Sequence, residues 1–305
     1  INICPSPAVQ AVAAGGVMPM LIPAGTDELA IAGGIQEAPV EICKAKTVDA
    51  YAIANSEWVI EGYVDTSQVV WESEEAEKRG DFSAPFFPEG HGHLGRARTT
   101  YKFQATAITH RKDNPIFYAP IGHSFEYPNM VTLTNDAALF DLLNRQCPGL
   151  VIDVNALPSM MGLLGVVIQV EKRRRRDEEH IKNLILATWA ACSILRVVVV
   201  VDEDVDIYNA DEIIWALCTR VNAEEDLILM SPGTSWAGVR GRTIGPTAPV
   251  WRMGFDATAP LEHKWQYWRG EFPKVDLVKW FATGEITRVR ALQSEYAKIL
   301  AEKRV

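Results

Sequence analysis

Ile194-Leu-Arg-Val-Val-Val-Val-Val201 is the stretch that decides the fold of the later part of the chain. A β-branched run of this length suits a strand buried on both faces, and such strands belong to parallel sheets covered by helices. Working outward, residues 149–155 and 163–170 also read as strands, while 136–145, 177–192 and about 210–221 have helical spacing. Strand alternating with helix is the rhythm of an α/β layer domain.

Upstream the texture changes. Residues 56–64, 99–108 and 115–119 read as strands separated by Gly, Pro and charged turns, which predicts a mostly antiparallel sheet or barrel in the first part. The expected boundary lies near 125–135, giving one domain over 1–130 and a second over 131–305. Residues 231–270, rich in Gly, Pro and Trp, read as long irregular loops able to reach another domain or subunit, and 286–304 as an exposed helix.

With 30 basic against 39 acidic side chains the formal charge is −9, which excludes nucleic acid as the main partner. At 48% hydrophobic and 23% charged, the composition is that of a globular protein. No apolar run reaches the ~18 residues of a spanning helix. Cys4, Cys43, Cys147, Cys192 and Cys218 show no CxxC spacing, so a reducing, cytoplasmic setting is expected. The first residue is Ile1, and neither a signal peptide nor a transit sequence is legible after it, so the chain is expected to start inside a domain.

Four groups could carry chemistry. In Pro88-Glu-Gly-His-Gly-His-Leu-Gly95, an extended backbone would point Glu89, His91 and His93 the same way, as an acid/base or metal site; a polar turn between strands is the alternative. Asp202-Glu-Asp-Val-Asp206 follows the Val run, where an α/β sheet commonly binds ligands, but Asn209 capping the next helix and Arg pairing of the acids favour a structural reading. The five bases 172–176 could meet phosphate, the acids of the next turn or a partner subunit. Asp27-Glu28 suits a helix start as well as a ligand.

Taken together these segments resemble the UbiD family of prenylated-FMN-dependent decarboxylases of aromatic and α,β-unsaturated acids. Val200-Val-Asp-Glu-Asp-Val-Asp-Ile-Tyr-Asn-Ala-Asp-Glu-Ile-Ile-Trp-Ala-Leu-Cys-Thr-Arg220 is similar to the family's hydrophobic run, DEDxD and xWAxxTR. Trp251-Arg-Met-Gly-Phe-Asp-Ala-Thr258 is like its KxGxDAT. Ile22-Pro-Ala-Gly-Thr-Asp-Glu28, Ser56-Glu-Trp-Val-Ile-Glu-Gly62 and Pro85-Phe-Phe-Pro-Glu-Gly-His-Gly92 complete the series in family order. The resemblance covers the whole chain yet only the later part of a full-length member, of which roughly the first 200 residues have no counterpart.

The resemblance implies a mixed α+β and α/β fold, with part of a split β-barrel flavin-binding domain followed by an α/β oligomerisation domain. It implies Glu89 as the general acid/base, Glu28 as a ligand of Mn²⁺ or Mg²⁺, and Arg252, where the family usually has Lys, beside the flavin phosphate; K⁺ is a further cation of this kind of site. Ala84 stands where the family often has a second Glu, so the proton relay must differ, and His91 and His93 become candidates for substrate contact or relay. The expected reaction is the reversible, non-oxidative decarboxylation of an aromatic or α,β-unsaturated acid, with CO₂ as co-product. Expected partners are a homo-oligomer (dimer or hexamer) and a polypeptide carrying the missing half, with Trp236, Trp251, Trp265 and Trp268 as anchors for a neighbour. Two other readings stay open: a non-catalytic UbiD-like assembly subunit, and a metal-dependent hydrolase built on Glu89, His91 and His93.

Overall fold

The computed structural model describes residues 1–15, 22, 24–89, 92–118, 126–162, 164–233 and 250–270. The chain divides into two compact units, Ile1–Glu262 and His263–Val305. Within the second, the described residues complete a 3-10 turn, Leu261–Tyr267, and expose Trp265 and Trp268.

The valine run forms β10 (Val197–Asp202), central in a five-stranded sheet. Parallel neighbours flank it, β9 (Gly165–Val170) and β12 (Val250–Ala257), and the antiparallel β8 (Val151–Asn155) and β11 (Leu227–Gly233) close the edges. Val198 and Val200 meet one core with Leu139 and Leu143 of α4 (Glu126–Gln146) and Ile181, Leu184, Ile185 and Trp189 of α5 (Arg175–Ala191). Val199 and Val201 meet a second core with Ile213 and Ala216 of α6 (Ala210–Arg220). Period-2 alternation thus feeds two helical layers from one strand, and each fully buried Val contributes about 1.5–3 kcal/mol. At Gly254 a Cβ would lie 3.1 Å from Trp189 and closer still to Ile185, so α5 lies on β12 only because the position is glycine.

The tail expected to be irregular contributes β12 to the middle of this sheet. Its residues alternate between buried and exposed up to Gly254, the pattern of a strand with one open face. Residues 286–304 lie outside the described residues.

In the first part, β1 (Asn2–Ile3), β4 (Trp58–Trp71) and β7 (Thr99–His110) form a three-stranded antiparallel sheet. Two-stranded ladders β2 (Ile42–Lys44) with β3 (Tyr51–Ile53), and β5 (Pro85–Pro88) with β6 (Leu94–Arg96), stand beside it. Among the described residues these strands do not close into a barrel. Residues 115–118 are not a strand; Ile116 caps the indole of Trp58 and the carboxylate of Glu57 instead. At the β4 bulge after Glu61, that carboxylate accepts from the backbone N–H of Lys46 and Thr47 and from the Thr47 hydroxyl at 2.6–2.9 Å, and the Lys46 N–H first of all holds it below the usual carboxylate range.

Three helices complete this part: α1 (Pro7–Gly15), α2 (Glu28–Ile35) and α3 (Glu74–Arg79). α2 ends in a Schellman pair, Ala38 N–H to Gly33 O at 3.1 Å and Glu37 N–H to Gly34 O at 3.3 Å, with Glu37 at φ 55° where glycine is usual.

Asp136 ties α4 to the sheet by accepting from the Ala156 N–H at 2.7 Å. Burial, with a smaller push from Asp153, raises its carboxyl to about 7. An unfolded carboxyl ionises near 3.8, so between about pH 4 and 7 only the unfolded state sheds this proton and stability falls as pH rises, by up to a few kcal/mol. Urea titrations across that range should give a declining curve that Asp136→Asn flattens; an equal decline in the variant would place the titration elsewhere.

Candidate active site

Glu89 sits half-buried at the tip of the β5/β6 hairpin. Pro85 pairs with Arg96 and Pro88 with Leu94, and the Ala97 N–H bonds to Ala84 O at 3.1 Å at the hairpin's base. Ala84 and Ala97 are fully buried with Ala76 of α3, with Trp71 packed on them, so the place of the family's second Glu is filled by a small apolar core. No carboxylate could replace Ala84 there without a buried charge. The tip closes as a turn: the Glu89 N–H bonds to His93 O and the Gly92 N–H to Glu89 O, both at 2.9 Å, with Gly92 at φ 82°. Glu89 and His93 are thus joined through their backbones across the tip. His93 is exposed, and His91 lies outside the described residues.

One residue the sequence reading missed is Tyr127, on the first turn of α4. Burial raises its phenol above the ordinary value, and the charge of Glu89 raises it further, so the hydroxyl lies within electrostatic reach of the hairpin tip. Nothing in the local sequence signals this, because the two residues belong to separate elements.

Glu28 opens α2 and is exposed. Asp27 caps the helix, accepting from the Leu29 N–H at 2.8 Å, so of the two acids one is structural and one is free to face a ligand. Beside them runs an open groove of about 540 Å³ between Leu29, Gly33, Glu37, Pro39, Val40 and Ile42. None of its lining residues is cationic, so it does not suit a phosphate. Among the described residues no three His, Cys, Asp or Glu side chains gather as a metal site. These residues alone therefore do not fit a divalent cation, which takes six or more oxygen ligands.

Arg252, expected beside a flavin phosphate, stands on β12. It is 5% exposed, and its guanidinium donates to Ser193 O at 2.6 Å and Trp189 O at 3.4 Å, at the C-terminal end of α5. Cationic donors there satisfy last-turn carbonyls and complement the helix dipole. Desolvation lowers its pKa. Glu89, Glu28 and Arg252 thus stand on three separate elements, a hairpin, a helix start and a central strand.

The acidic run after β10 is structural. Asp202, fully buried, bonds Arg220 at 2.9 Å and accepts from the Ala259 N–H at 2.6 Å; Asp204 takes both terminal nitrogens of Arg220 at 2.9 and 2.6 Å. Arg220 also lies 5.0 Å from the Trp215 ring centroid, and Asn209 caps α6 through the Asp211 N–H. Among the bases 172–176, Lys172 is buried against Glu178, Thr258 and Ala259 at 2.6–2.9 Å, Arg173 pairs with Glu171, and Asp177 accepts from the Arg173 and Arg174 N–H groups. All five cysteines are free thiols, and among the described residues no helix is long and apolar enough to cross a membrane.

Two family models match in succession: the 3-octaprenyl-4-hydroxybenzoate carboxy-lyase Rift-related domain over residues 1–124, and the C-terminal domain of the same carboxy-lyase over 128–257. Gallate decarboxylase of Lactiplantibacillus plantarum is 32% identical over 270 residues, covering 84% of this chain and 53% of the relative. The UbiD-class enzyme HmfF from Pelotomaculum thermopropionicum, solved with FMN, superposes with a TM-score of 0.75 at 27% identity, over 90% of this chain and 56% of that one. The apo 3,4-dihydroxybenzoic acid decarboxylase from Enterobacter cloacae gives 0.77 at 25% identity, over 92% and 57%. The chain therefore spans about half the length of the relatives it matches. With both models matched in order and a mixed α/β fold shared with these enzymes, the chain belongs to the UbiD family of carboxy-lyases.

Proposed function

We propose that this chain provides the proton-donating part of a UbiD-type decarboxylase acting on a hydroxylated aromatic carboxylic acid. The observation that carries the reading is Glu89, a half-buried carboxyl held on a short hairpin in the motif the family uses for its acid/base. Gallate and 3,4-dihydroxybenzoic acid, the substrates named for two relatives, support a polyhydroxylated benzoic acid as the substrate class. HmfF has been solved with FMN and, in an evolved dimeric form, with prenylated FMN, which supports the same cofactor for the whole protein. That flavin supplies an electron-accepting partner for the substrate's π-system.

This chain's own contribution is proton chemistry. As the bond to the carboxylate breaks, CO₂ leaves without the bonding pair, and Glu89 transfers its proton to the carbon that keeps it. The reverse path removes a proton from that carbon through the same carboxylate, which makes carboxylation accessible from one site. Glu28 remains the residue we assign to Mn²⁺ or Mg²⁺, its other ligands coming from the remainder of the protein. Leu229, Trp251 and Met253, exposed together on one sheet face, are the surface we assign to assembly.

Native mass spectrometry tests these assignments in one experiment. The 305-residue chain alone is expected to carry no flavin, since its described residues gather no metal cluster and the groove beside Glu28 has no cationic lining. A particle combining it with the remainder of a UbiD protein should carry flavin, contain more than one copy of each part, and release CO₂ from a polyhydroxylated benzoic acid. A fully assembled, flavin-loaded particle inert toward every aromatic acid tested would favour a non-catalytic assembly role.

A further inference from the structure

The hairpin that carries Glu89 places a glycine where the acid touches it. A Cβ built on Gly95 of β6 would lie 2.6 Å from Glu89 Oε1, 3.0 Å from its Cγ and 3.2 Å from its Cδ, and these three are its nearest neighbours. Real Cβ atoms do not approach that closely, so any other L-residue at 95 would displace the carboxyl.

Other crowded glycines have different reasons. At Gly62 the obstacle includes the backbone of Gln104 and Ala105 across the β4 bulge, and at Gly254 it is the α5 side chains Ile185 and Trp189. Both serve the packing of elements. At Gly95 the three nearest atoms all belong to the Glu89 side chain, so what the glycine makes room for is the acid itself. Gly95 also carries none of the positive φ that demands glycine at Gly92.

We propose that Gly95 is a positioning residue for Glu89: by lacking a side chain it lets the carboxyl lie against the β6 backbone, which fixes where the proton is delivered. The proposal rests on the reading of Glu89 as the proton donor. Contact with β6 removes rotamers that an exposed Glu would otherwise sample, and displacement of an acid by about 1 Å can cost on the order of 100-fold in rate. Tyr127 of α4 lies within electrostatic reach of the same carboxyl.

Gly95→Ala in the flavin-loaded protein is the test. The acid should yield and the fold should not, so the variant is expected to keep its flavin and a Tm within about 2 °C of the parent. Its kcat should fall about 10- to 100-fold with KM nearly unchanged, and the ¹³C carboxyl resonance of Glu89, assigned by its loss in Glu89→Gln, should move. Adding Glu89→Asp, one methylene shorter, should recover part of the rate lost in Gly95→Ala. An unmoved resonance with parental kcat would overturn the proposal, as would a Tm loss above about 10 °C, which would make Gly95 a residue of the backbone. If Glu89→Gln itself turned over normally while Gly95→Ala still moved the resonance, the proton-donor reading would fail and the seat would stand.

Discussion

Glu89→Gln, in a protein complete enough to bind flavin, is expected to lose decarboxylation by about 10²–10⁴-fold while keeping its cofactor. The substitution preserves size and the hairpin's backbone bonds, Glu89 N–H to His93 O and Gly92 N–H to Glu89 O, because neither uses the side chain. It removes only the transferable proton. Tyr127 cannot take over the task at neutral pH, since a phenol raised above its ordinary value by burial is a poor donor to carbon. Deuterium exchange at the substrate carbon should fall together with CO₂ release, because both need the same carboxyl. Parental exchange with slow CO₂ release would instead place Glu89 in substrate binding, and parental values of both would remove it from the mechanism.

The second large effect is one of stability. Arg220→Ala should destabilise the chain by about 3–5 kcal/mol, because it leaves Asp202 as a buried charge without its ion-pair partner. The Arg220 side chain is 2% exposed and that of Asp202 0%, so water cannot readily replace the guanidinium. Asp204 is 35% exposed and can turn to solvent, so the penalty falls on Asp202. Urea unfolding measures it. A change below about 1 kcal/mol would mean that the pair is solvated in solution. Arg220→Lys should recover only part of the loss, since a single ammonium cannot reproduce the bidentate contact with Asp204 at 2.9 and 2.6 Å.

These two residues mark how differently fold and site are written in the chain. The valine run, the helices on either side of it and the capping Asn209 are local signals, each carried by neighbours in sequence, and each forms the element its pattern predicts. Local pattern misled where pairing partners were distant. Residues 250–257 sit in a segment dense in Gly, Pro and Trp, and they become a central strand only because β10 and β11 offer ladders on both sides. Residues 115–119, apolar enough for a strand, find no such ladder over 115–118.

By itself the sequence determined the family and the buried parallel core, because motifs and periodicity are properties of neighbouring residues. Tertiary structure decided the rest. It turned the acidic run toward Arg220, put Arg252 on the end of α5, sealed Ala84 under α3, brought Gly95 against the Glu89 carboxyl and set Tyr127 within electrostatic reach of it. A charge finds its meaning in the groups that desolvate and pair with it, and here these groups come from elements separated by up to 87 residues, as Lys172 is from Ala259, a distance that only the folded chain brings within hydrogen-bond reach.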